Sequence, residues 1–185
     1  MKRKTAKEIL VESFRDIAET KSVNKIAVIE IVENCGYSTT TFYRHFRDKY
    51  DLVAWDYGRR FETILSRVAR DDDEWKRLCL EAALFYHDQK EYLKNLILHT
   101  NGYDSFSRNM KRIHYERLRV WLLKALDLDE LDLKTEMCVR LYCQGTVDLT
   151  CDWILGKYET TVQELAEVYR TCLPYPIYKC LFVKE

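Results

Sequence analysis

Proline and glycine are scarce in this chain: its 185 residues include two Pro and five Gly, and both prolines stand near the end, at positions 174 and 176. Proline removes a backbone donor and glycine loosens a helix, so their scarcity leaves about 170 residues with little to interrupt helical structure. The expectation is an all-α protein of about nine helices. No apolar run approaches the roughly 20 residues needed to span a bilayer. The opening MKRKTAKE has charge but no apolar stretch behind it. A membrane partner and a secretory leader are therefore not expected, and the protein reads as cytoplasmic. The seven Cys include no CxxC pair, and neither they nor the four His show a zinc-ligand spacing. They read as reduced thiols filling a core, with no metal. Nucleophile elbow, phosphate loop and zincin patterns are missing too, so neither an enzyme nor a cofactor is expected.

An excess of one charge is also lacking. Thirty Lys and Arg face thirty Asp and Glu, which argues against a chain coated in basic patches. The distribution is uneven, however: through Lys49 there are ten basic residues against seven acidic ones, so this segment is +3.

That basic segment holds the most patterned stretch, Ile26 to Leu52. Its spacing predicts a helix from about Val28 to Asn34, a left-handed turn at Gly36, and a short helix that Ser38 caps. Phe42 and Phe46 stand four apart and share an inward face. Thr39, Thr40, Tyr43, Arg44 and Arg47 fall on the opposite side as one polar, cationic and aromatic stripe. Hydroxyls, a phenol and guanidiniums suit base edges and phosphates, though a solvated helix face has the same composition.

Around this stretch the chain reads as further helices. Thr5 and Glu8 form a capping box for helix 1, which keeps Ile9, Leu10, Phe14 and Ile17 inward. The arm Lys2-Arg3-Lys4 suits a minor groove and equally a solvated tail. Helix 4 runs from Lys49 through Val68 to the acidic cluster at Asp71 to Asp73, which reads as a loop and helix cap. Helix 5 spans Trp75 to Tyr86, and helix 6 runs from Lys90 to about Leu98. A loop follows from Thr100 to Asp104, and helix 7 then runs from Asp104 or Ser105 to Leu126. Helix 8, from about Leu133 to Leu155, is apolar on more than one face and predicts a dimer seam. Thr161 and Glu164 cap helix 9, which supplies the second helix of a four-helix interface. Pro174 and Pro176 then predict a non-helical tail.

The segment CGYSTTTFYRHFRDKYDL resembles the TetR family pattern of Gly, an aromatic or apolar residue, Ser, Phe/Leu-Tyr-x-His-Phe, and Lys followed by Leu three residues later. The resemblance covers about the first 55 residues strongly and the rest in architecture only. It implies a helix-turn-helix DNA-binding domain over residues 1–49 and a helical ligand-binding and dimerisation domain over 50–185. It further implies that Thr39, Thr40 and Tyr43 face the groove and that Thr41, Tyr43, His45 and Lys49 hold phosphates. The amides after Ser38 favour a phosphate as well. Arg44 reaches either a guanine or a phosphate. Ala27 stands where relatives carry a polar cap and Ile29 where they can carry a groove-facing polar residue, so helix 2 is expected to contribute less.

The function implied is a homodimeric regulator on a roughly palindromic operator, with repression relieved when a small-molecule effector binds among helices 4 to 8. Trp75, Tyr86, His99, Trp121, Tyr142 and Gln144 are the candidate lining, since rings with a few polar atoms suit an organic ligand. The alternative is a co-regulator whose C-terminal body binds another protein and takes no small molecule.

Overall fold

Thr5 starts the first helix as its spacing predicts. Its side chain accepts the Glu8 N–H at 3.3 Å while the Glu8 carboxylate accepts the Thr5 N–H at 2.8 Å, closing a capping box. In the computed structural model, which describes residues 4–66, 69, 71–102 and 105–183, ten α-helices follow one another, with no strand among the described residues. They are α1 (Ala6–Ala18), α2 (Val28–Cys35), α3 (Thr39–His45), α4 (Lys49–Ile64), α5 (Asp72–Asp88), α6 (Lys90–His99), α7 (Phe106–Leu126), α8 (Leu133–Ile154), α9 (Val162–Thr171) and α10 (Tyr175–Phe182). One 3-10 turn, Val23–Lys25, joins α1 to α2. Lys2, Arg3, Val68 and Asp104, named in the sequence reading, lie outside the described residues.

Helices α1 to α3 form an N-terminal head. Ser13 on α1 donates to the Ile31 carbonyl on α2 at 2.6 Å, and Asn34 donates to Ser13 Oγ at 3.1 Å. A buried hydroxyl that is satisfied on both sides locks the two helices at one register. Gly36 takes φ +71° at the end of α2, the left-handed turn that its position predicts. The body packs α5 along α9 and α7 along α8, with α10 against α8 and α7. One continuous apolar core runs from Leu10 and Phe14 through Leu52 on α4 to Val147 and Leu165.

Two elements differ from the sequence reading. The tail after Leu173 is helical: Pro174 is the N-cap of α10 and Pro176 sits in its first turn, where proline's missing N–H would have no helical partner anyway. This tenth helix buries Ile177. Helix α4 stops at Ile64, short of the acidic cluster, with Leu65 as its C-cap. Asp71 caps α5 by accepting the Glu74 N–H at 2.8 Å, in line with the reading of the acidic cluster as a helix cap.

Several polar contacts join head to body, and two are buried or partly buried. Asn95 on α6 donates to the carbonyls of Ala18 and Lys21, both at 2.9 Å, and accepts the Val23 N–H at 3.1 Å. Asp56 on α4 is buried, with Arg60 at 3.0 Å and Arg15 of α1 at 3.5 Å. The Arg15 guanidinium also bonds Gln89 and lies 4.1 Å over the Tyr92 ring.

Candidate functional site

Helix α3 presents the stripe over a packed base. Phe42 and Phe46 are buried with ring centroids 5.9 Å apart, and Tyr43 meets Phe42 edge-on at 5.5 Å. Above them Thr40, Tyr43 and Arg44 are exposed, Tyr43 at 59%, while Thr39 and Thr41 are half-buried. Ser38 caps the helix by accepting the Thr41 N–H at 3.2 Å, and the two hydroxyls lie 3.1 Å apart. Arg47 departs from the stripe: Phe46 is extended at φ −140° and ψ 140°, so the helical register ends before it. Its N–H donates to Asp51 Oδ2 at 3.1 Å and its guanidinium meets Oδ1 at 3.4 Å.

The other expected phosphate groups sit less freely. His45 is half-buried, and its Nε2 is enclosed with no partner among the described residues. The Lys49 ammonium donates to the carbonyls of Asn24 at 2.9 Å and Ile26 at 2.7 Å, which pins the start of α4 to the turn before α2. Partial burial holds its pKa below the usual lysine value. Ala27 has no side-chain acceptor, as its residue type dictates, but Glu30 accepts its N–H at 2.8 Å and is itself held by Lys21 at 2.5 Å. Ile29 is 49% exposed on α2, an apolar side chain on the face of the head.

A second feature lies inside the body, a cavity of about 70 Å³. Sites for drug-sized ligands enclose roughly 300–1,000 Å³, so a guest of that size requires the walls to part. Helices α4, α5, α7, α8 and α9 all contribute walls. Trp75, Tyr86 and Tyr142 line it. Trp121 packs behind, its ring centroid 5.6 Å from that of Trp75. Gln144 is exposed on the outer face of α8, one residue from the buried Cys143 and so about 100° around the helix. His99 ends α6 half-buried and is not among the lining residues.

His114 was not picked out as a lining residue, although it stands four residues from both Met110 and Leu118 on the inner face of α7. Its Nε2 lies 2.6 Å from the Tyr57 hydroxyl and 3.1 Å from that of Tyr86, and the two hydroxyls are 3.2 Å apart. Its ring stacks on Phe61 at 4.0 Å. The triangle joins α4, α5 and α7 at the cavity wall.

Burial lowers the His114 pKa to about 3, so the imidazole is neutral at working pH. The unfolded chain takes up a proton there below about pH 6.5, whereas the folded chain does not until about pH 3. Stability from this residue is therefore full above 6.5 and falls by up to about 1.4 kcal/mol per pH unit as pH drops below it. His114→Phe should flatten the loss between pH 7 and pH 5 by nearly one proton, read from urea midpoints at each pH. An unchanged slope would show that another group carries it.

Burial pushes the thiols of Cys79 and Cys143 up to about 12, which leaves both protonated at neutral pH and weakly nucleophilic. Among the described residues, no Asp, Glu, Lys or Arg lines the cavity.

Comparison with known proteins bears on both features. Residues 15–54, from α1 into the first turns of α4, match the family described as bacterial regulatory proteins, tetR family. No curated protein matches the sequence. Among solved structures, the chain is similar to the dihydroxyacetone kinase operon activator DhaS, with a TM-score of 0.60 and 16% identity over 90% of this chain and 93% of that one. At that identity the similarity establishes the helical fold.

Proposed function

We propose that this chain, whose N-terminal helices belong to the tetR family, is a sequence-specific regulator of transcription that binds a roughly palindromic operator as a homodimer. Its division of labour falls near residue 49, with the DNA-binding head before it and the effector and dimerisation body after it. The observation that carries this reading is the α3 surface. A short capped helix holds Thr39, Thr40, Tyr43 and Arg44 outward over two buried phenylalanines, inside the segment that matches the family. Such a stripe fits a major groove, with hydroxyls and guanidinium reading base edges and neighbouring groups on phosphates.

The dimer reading is supported by α8. Leu133, Met137 and Leu141 recur every four residues and are 77%, 58% and 68% exposed. Gly145 continues the row, and a Cβ added there would meet nothing within 4 Å. A partner helix can approach closely along such a row. Two heads held this way reach successive major grooves about 34 Å apart.

The body is read as the receiver of a small-molecule effector that relieves repression. Tyr57 and Phe61 join the cavity wall to α4, and Lys49 at the other end of α4 holds the turn before α2. An effector that favours one setting of α4 would shift the spacing of the two heads, provided its affinity differs between the two settings. DhaS is named an activator. The sign of action of this chain is therefore tested separately: output of a reporter behind the operator should rise when the regulator is removed.

Two measurements test the reading. The purified chain alone should sediment as a dimer at micromolar concentration and shift operator DNA. A monomer that shifts DNA only when another protein is added would favour the co-regulator instead. Exchange of Thr39 or Thr40 for Ala should change which sequences are recovered from a random pool, by about 1–3 kcal/mol at the bases they face. An unchanged preference would remove them as readers.

A further inference from the structure

The first turn of α2 offers mainly hydrocarbon on its outer side. Ala27 and Ile29 are exposed there and Val28 is half-buried. The polar group of this turn, Glu30, is already committed: its carboxylate accepts the Ala27 N–H at 2.8 Å and meets Lys21 at 2.5 Å. Among the described residues of the head, Ile29 and Tyr43 are the large apolar side chains that stay exposed, at 49% and 59%. Tyr43 keeps a hydroxyl for a phosphate or a base edge, whereas Ile29 has no polar atom to offer.

Lys49 fixes where this turn lies. Its ammonium holds the Ile26 carbonyl at 2.7 Å, and Ile29 follows three residues later, at most about 11 Å along the chain. In the regulator reading the third Lys49 donor takes a phosphate, which brings one DNA strand beside the entry to α2. Asn24 and Lys25 are exposed on the preceding turn and suit the same strand. The major groove next to that strand is about 12 Å wide. With α3 along the groove, Ile29 is the large side chain left at its edge. Glu33 is exposed one turn further along the same side of α2, and phosphate repels a carboxylate. This side of α2 therefore suits base edges and not the backbone.

Of the base edges in a major groove, thymine's carries a methyl group, and apolar side chains read it by contact. We propose that Ile29 packs on a thymine methyl in each half-site, at a base pair flanking those that α3 reads, so that the operator carries a thymine there. This deepens the regulator reading and rests on it. Ile29 joins Thr39 and Thr40 in setting sequence preference, through shape and desolvation instead of hydrogen bonds.

Thymine and uracil pair alike and differ by that methyl alone, so uracil substitution isolates the contact. In the DNA recovered by selection with the purified full chain, each thymine is replaced singly by uracil and binding is followed by fluorescence anisotropy. At one symmetric position the replacement should weaken binding by the parent about two- to fivefold per half-site, the loss of one buried methyl. Ile29→Ala should bind the thymine site more weakly and should no longer distinguish thymine from uracil at that position. Uracil effects at positions faced by Thr39 and Thr40 should persist in this variant. The scan with the parent protein needs no variant to fold. The proposal is overturned if no uracil weakens binding by the parent, if the selected half-sites carry no thymine, or if every methyl effect survives Ile29→Ala. A chain that selects DNA and fails these tests keeps the regulator reading and loses this one. A chain that selects no DNA overturns both.

Discussion

Asp56→Ala should destabilise the protein by about 3 kcal/mol or more, the cost typical of removing one partner from a buried charge pair. Asp56 is 1% exposed and lies between Arg60 at 3.0 Å and Arg15 at 3.5 Å. Arg60 is partly exposed and can turn to water once the carboxylate is gone. Arg15 cannot do so as easily, because its side chain is largely buried among Gln89 and the Tyr92 ring. Its charge would remain enclosed with only a neutral amide and a ring face for company. Urea unfolding should show the midpoint falling with little change in slope. A loss below about 1 kcal/mol would mean that Arg15 reaches solvent and that the α1–α4 tie is weak. The same variant should loosen the head relative to α4, since Arg15 is on α1 and Asp56 on α4.

Lys49→Ala should weaken DNA binding by roughly tenfold to a hundredfold, the range for losing charge-assisted hydrogen bonds. The structure gives this residue a role beyond a phosphate contact. Its ammonium bridges the carbonyls of Asn24 and Ile26, so the first turn of α4 and the entry to α2 move together. An ammonium has three donors, and two carbonyls leave one for a phosphate. The loss should be nearly uniform across DNA sequences, and the salt slope should fall by about one unit. A variant that binds as tightly as the parent at moderate salt would refute the phosphate assignment. A variant that binds weakly but keeps the parent's salt slope would reduce Lys49 to a brace.

The sequence made local features legible wherever a single residue type dictates geometry. Thr5 with Glu8, Gly36, Ser38, and Phe42 with Phe46 all sit as their chemistry requires. The same logic failed at Pro176, because proline breaks a helix interior but fits a first turn, and pattern alone did not decide which position it held. Arg47 fell off the α3 stripe because helical spacing was extended past Phe46, where the backbone becomes extended.

Long-range roles were less visible. Asp56 stands three and four residues after Val53 and Leu52, on the inner face of α4, and an acid at that spacing was a readable sign of a buried pair. Nothing near Asn95 in the chain points to Ala18, Lys21 and Val23, which lie more than 70 positions away. The cavity is a property of five helices at once. Trp75, Tyr86 and Tyr142 were readable as aromatic residues on inner faces, whereas Gln144 shows how one residue step turns a side chain from the wall to solvent.

The central claim is that α3 reads DNA as one of a symmetric pair. Selection of binding sites from a random duplex pool by the purified protein tests it most directly. The expected result is an enriched, nearly palindromic sequence whose half-sites are centred about one helical turn apart, or a multiple of it. A recovered pool with no enriched motif would contradict DNA reading by α3, and a single unpaired half-site would contradict the dimer.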